Sequence, residues 1–146
     1  MFTHKSLGLL TGMLVAPRIA HRLLCRSEYN VAELAGNSSL ENMVGKAAHY
    51  AMYGFMAVMP GTGIAMGYFG GKGLPFFITT LPGAEAPTEE AKKANGTIAK
   101  QAFSIHKQVG TYGKYLVPAH VGAALGHQLR GQAIFARINP FGKNLG

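Results

Sequence analysis

Between Lys46 and Lys72 the chain carries no charged side chain. That stretch, about residues 47–71, constrains the fold more than any other feature. A hydrocarbon core takes about 20 helical residues at ~1.5 Å each, so the run is long enough to cross one. A soluble core helix normally keeps a polar face, and this stretch has none. Two further apolar stretches accompany it. One runs over about 7–25 and is interrupted near its C-terminal end by Arg18, His21 and Arg22. The other runs over about 102–134 and holds Lys107, Lys114 and Arg130 around an uncharged, small-residue middle, Tyr115 to Gly126. Glycine and alanine at this density suit close helix contacts in a membrane. The expected fold class is an all-α integral membrane bundle with three transmembrane helices, one domain over 1–146.

Composition agrees with that expectation. Charged residues are 14% of the chain, against roughly 25% in an ordinary soluble domain. The net charge of +8 is scattered, without the Lys/Arg runs of a nucleic-acid binder. Membrane-flanking Lys and Arg explain it better, so no nucleic-acid partner is expected. The charge-free stretch also argues against a soluble basic binding protein. Cys25 is the single cysteine, which excludes a disulfide scaffold. No C-x-x-C-H, H-E-x-x-H or G-x-S-x-G motif is present, so covalent haem attachment and hydrolysis lack support. Gly61-Thr62-Gly63 and Gly70-Gly71-Lys72-Gly73 fit no phosphate loop and read as helix packing and a turn. The N-terminal apolar run lacks a small-residue cleavage pattern before Pro17-Arg18, so it is expected to stay as a helix.

Polar loops are expected over 26–46, with the Asn37-Ser38-Ser39 turn signal, and over 72–101, and an irregular tail after Arg137. Three spans put the N-terminus and the 72–101 loop on one side, and the 26–46 loop and C-terminus on the other. A slight excess of Lys and Arg puts the 26–46 loop on the positive-inside face.

The chain has six histidines. His106 and His120 are 14 residues apart, within roughly 40° of one helix face and about 21 Å along its axis. His127 follows seven residues later on the same face. A row of imidazoles along a membrane helix is costly unless something binds them. Two rings ~21 Å apart would serve two stacked haems, one near each membrane surface. The alternative is that each is a hydrogen-bonded core residue. Zinc is the weaker choice, since no Cys/His group has tight ligand spacing. Partners must come from facing helices: His4 lies on the side of His106, and His49 and His21 on the side of His120 and His127.

Several motifs stand in order along the chain: His4-Lys5-Ser6-Leu7-Gly8-Leu9; Arg18 to Arg22; Ala48-His49 with Tyr53, Met59-Pro60 and Gly63; Gly73-Leu74-Pro75-Phe76-Phe77 with Leu81-Pro82; Ile105-His106-Lys107; His120 to His127; and Arg137. Together they resemble the bacterial-type cytochrome b561 family, four-helix di-haem membrane proteins related to hydrogenase cytochrome b subunits. By that resemblance the chain begins at the family's second helix, and the first helix, with its own ligating histidine, has no counterpart. The resemblance implies that His4 and His106 are axial ligands of one haem b iron. It leaves His120 without its family partner: His49 or a neighbouring subunit takes that place, or the second haem is absent.

The function expected on this basis is a haem b-binding electron-transfer subunit of a larger respiratory or photosynthetic complex. It would work with other membrane subunits, lipid and a quinone. The alternative is an accessory structural membrane subunit derived from a cytochrome b561, with one haem or none. Arg18, Arg22 and Lys107 are candidates for haem propionates or, equally, for lipid headgroups. An energy-converting membrane is expected, with the mitochondrial inner membrane favoured over thylakoid or bacterial inner membrane.

Overall fold

The computed structural model describes residues 2–25, 36–132 and 134. Arg26, Glu28 and Glu33 of the first loop, and the tail after Arg137 with Lys143, lie outside the described residues. The architecture is helical: α1 (Phe2–Leu24), α2 (Ser39–Phe69), a small hairpin of β1 (Leu74–Phe76) and β2 (Thr79–Leu81), then α3 (Glu89–Leu129).

The helices run beyond the apolar stretches because capping chemistry, not hydropathy, sets their ends. Ser38 opens α2 with a reciprocal box: its hydroxyl accepts from the Glu41 N–H at 3.2 Å, and Glu41 accepts from the Ser38 N–H at 2.8 Å. The expected turn at Asn37-Ser38-Ser39 is therefore a helix start. Thr88 caps α3 by accepting from the Ala91 N–H at 3.1 Å. Glu89 and Glu90 in the first turn favour the same end electrostatically. So α3 begins inside the expected 72–101 loop, and it stops at Leu129 rather than 134, with Gly131 at φ 81° just beyond. At 31 and 41 residues, α2 and α3 are about 46 and 61 Å long, more than a core of about 30 Å needs.

The hairpin pairs Leu74 with Leu81 and Phe76 with Thr79. Its two-residue turn holds Phe77 at φ 49°, a left-handed conformation costing about 1–2 kcal/mol for a non-glycine residue. Ser6 offsets that strain. Its side chain is fully buried; its oxygen accepts from the Phe77 N–H at 3.0 Å and lies 3.3 Å from the Pro75 carbonyl. The hairpin is thus tied to the start of α1, two residues past His4. Gly73, at φ 69°, admits no side chain, because a Cβ there would collide with the Leu81 carbonyl.

α2 is the helix that packs against both α3 and α1. Small residues make both approaches close. A Cβ on Gly12 of α1 would lie 3.0 Å from the Pro60 ring of α2, and the Phe55 ring of α2 occupies the space a side chain at Gly113 of α3 would need. Among the described residues the buried hydrophobics are Leu9 and Ala102. Met13, Leu14, Leu23, Tyr112 and Tyr115 face outward, an apolar exterior that water would penalise and lipid would not.

By length and composition, α1 is the one helix among the described residues apolar enough to cross a membrane. The expectation of three spans is met by hydropathy for that helix alone. Residues 47–71 are free of charge but rich in Gly, Tyr and Met, with His49 and Pro60, and absence of charge is not apolarity.

At the far end from the hairpin, Arg130 closes the bundle on Glu41 at 2.8 Å. Hydrogen bonds from the Ser38 backbone and the Arg130 side chain hold the Glu41 carboxyl at about 2, below its ordinary 4.5. A depressed carboxylate contributes stability that is complete above the unfolded value and lost as pH falls through the folded one. The stability difference between wild type and Glu41→Gln is therefore expected to be constant above about pH 5 and to shrink from there toward pH 2, measured by thermal unfolding in detergent. A difference that does not change across that range contradicts the contact.

Candidate functional site

The histidines meet in twos. His4 of α1 and His106 of α3 have ring centroids 6.1 Å apart, with planes at 83°. His49 of α2 and His120 of α3 stand 5.1 Å apart at 85°. His49 and His120 meet through antiparallel packing of α2 and α3, and His4 and His106 meet because α1 and α3 both run antiparallel to α2. Between them lie Met59 against Gly110 and Phe55 against Gly113, so α3 presents His106 at the hairpin end and His120 at the Glu41–Arg130 end. Two imidazoles bound on opposite sides of one metal, with bonds of about 2.0–2.1 Å, put their centroids roughly 6 Å apart. The first pair already has that spacing, and the second would open by about 1 Å.

The hydrogen-bond partners favour one tautomer of each ring. Thr62 Oγ1 lies 2.6 Å from the Val58 carbonyl, 3.1 Å from the Met59 carbonyl and 2.9 Å from His106 Nδ1. Carbonyl oxygens only accept, so the single hydroxyl proton is committed to the α2 backbone. The oxygen then accepts from His106 Nδ1–H, and Nε2 keeps its lone pair. At the second pair His49 Nδ1 donates to the Gly45 carbonyl at 2.8 Å, again leaving Nε2 bare. A ring donating from one nitrogen and free at the other is the form in which histidine binds a metal. The residues fit bis-histidine axial ligation.

Among the described residues, no three His, Cys, Asp or Glu side chains converge on one point. Pairs of imidazoles suit an axially ligated macrocycle, not a tetrahedral ion. His127 belongs to a different network: its Nδ1 meets Gln132 Oε1 at 2.6 Å, and Gln132 donates to Asn37 Oδ1 at 2.8 Å. His21 contacts Cys25 at 3.8 Å.

The candidate cations are not gathered at the rings. Arg22 lies over the Tyr53 ring, 5.0 Å from its centroid, and Tyr53 is one turn along α2 from His49. Arg18 and Lys107 are exposed. Thr62 was hidden inside a glycine-rich triplet read as packing. Its signal is the one aliphatic hydroxyl inside the charge-free stretch 47–71, where a polar group needs a partner.

A family model described as prokaryotic cytochrome b561 matches residues 1–140. No curated protein matches the chain.

Proposed function

The chain belongs to the prokaryotic cytochrome b561 family, and from that premise we propose that it is an electron-transfer subunit holding haem b between His4 and His106. The family is integral to the membrane, binds haem b and transfers electrons. The observation that carries the assignment is the His4–His106 opposition at 6.1 Å, with His106 Nδ1 engaged by Thr62. When bound, haem b supplies one-electron transfer between its ferric and ferrous states. His106 and His4 would hold the iron through their ring nitrogens. Pro75 and Phe77, through Ser6, anchor the start of α1 and so hold His4 in position.

His49 and His120 would hold a second haem b, for two per chain. Arg22, stacked on Tyr53, is the cation best sited to serve a propionate at that end. All three helices span the membrane, with the hairpin on one side and the Glu41–Arg130 contact on the other. A bacterial inner membrane accords with the family's prokaryotic description better than the mitochondrial inner membrane that the sequence favoured.

Other membrane subunits and lipid cover the exterior. The observation favouring a partner subunit is an open groove of about 360 Å³ between α1 and α2, lined by residues including Val15, Ile19, Met56 and Ile64. The same groove favours the second reading, an accessory structural subunit. Haem content separates the two. A pyridine haemochrome assay of the purified chain is expected to yield haem b, and none would refute the redox reading. Lys72→Cys and Arg130→Cys, each in a Cys25→Ser background, should label from opposite membrane faces; labelling from one face would refute the arrangement of spans.

A further inference from the structure

We infer that Thr62 is the positioning residue that sets the potential of the haem site at His106, an inference that rests on the reading of His4 and His106 as its axial ligands. His106 lies on α3, while the hydroxyl it meets lies on α2, 44 residues away in sequence. The contact is between neighbouring helices, not within a turn.

Three features make Thr62 a directed acceptor. Its hydroxyl proton goes to Val58 at 2.6 Å, with Met59 at 3.1 Å, so the oxygen cannot donate to the ring. The two bonds form a chain from imidazole to hydroxyl to helix carbonyl, and each bond in such a chain polarises the next. The next residue is Gly63, where a methyl would lie in ordinary contact with the ring, 3.6 Å from His106 Cε1, so the ring sits beside this face of α2. The hydroxyl thus orients the ring and favours the tautomer protonated at Nδ1.

An acceptor on Nδ1–H raises the basicity of the ligating nitrogen. A more basic imidazole stabilises ferric over ferrous iron, which lowers the potential. The two pairs are also made unequal. His49 donates to a backbone carbonyl, Gly45 O, which no side-chain substitution removes. His106 donates to a side chain, which a single substitution does remove. Thr62 is thus the residue through which sequence can tune one haem site and leave the other unchanged.

The test is a potentiometric titration of the purified holoprotein, followed by the reduced haem absorbance, for wild type, Thr62→Val, Thr62→Ser and His106→Ala. Val keeps the shape and removes the acceptor; Ser restores it. Thr62→Val should raise the potential of the haem that His106→Ala eliminates and leave any other haem where it was. Thr62→Ser should return the potential to the wild-type value. A Thr62→Val potential equal to wild type, with that haem retained, overturns the inference. If Val instead loses the haem, recovery of haem and potential in Ser supports the hydroxyl, and a Ser variant that behaves like Val overturns it. Retention of the haem spectrum in His106→Ala overturns the underlying ligand assignment instead, so the two failures are distinguishable.

Discussion

Replacing His106 with Ala is expected to remove one haem b per chain and its bis-histidine absorbance. The effect should be complete, not graded. Outer groups around a bound metal typically change affinity about 10–100-fold, whereas this substitution deletes an iron ligand itself. It also frees Thr62 Oγ1 of its acceptor role, while that hydroxyl still donates to the α2 backbone, so the helix should remain intact. His4→Ala should have the same spectral effect, since the ring facing His106 at 6.1 Å is its only histidine neighbour across α1 and α3 among the described residues. Added imidazole offers a check on folding: a protein that lost only its ligand should recover part of the low-spin spectrum. His127→Ala is the control. His127 is engaged with Gln132 at 2.6 Å, so its loss should leave the haem count unchanged. A His106→Ala protein with an unchanged spectrum would refute the pairing.

Much of this site was legible because helix phase is arithmetic. The 14-residue interval from His106 to His120 fixes two rings on one face of any continuous helix, and antiparallel neighbours then restrict which histidines can face them. His4 as the partner of His106 followed from the resemblance to the cytochrome b561 family, and His49 was one candidate, beside His21, for the end of His120. The helix ends were less legible. Ser38 and Thr88 start helices well outside the apolar stretches, and side-chain-to-backbone bonds of that kind leave no mark on hydropathy. The hairpin was missed for a related reason. Phe77 sits in a left-handed conformation usually given to glycine, and what holds it there is Ser6, 71 residues earlier. Thr62 was illegible because its role depends on which face of α2 meets α3, and that is decided by Gly110 and Gly113 giving way to Met59 and Phe55.

The second large effect concerns the other end of the bundle. His49→Ala and His120→Ala are each expected to remove the second haem and leave the His4–His106 site spectrally intact. The sites should be independent because ~21 Å of α3 separates them, and effects at that distance with no shared partner are normally additive. Haem per chain should therefore fall by one in either single variant, by no more in the His49→Ala/His120→Ala pair, and by two in His106→Ala/His120→Ala. The spacing of 5.1 Å requires the rings to part by about 1 Å. His49 is steered by its bond to Gly45 within its own helix, so the movement falls on His120. If the rings instead stay in contact as a polar pair, wild-type protein will carry one haem, and neither His49→Ala nor His120→Ala will change that number. The haem count of these four variants thus separates a redox centre at each end from a single centre beside the hairpin.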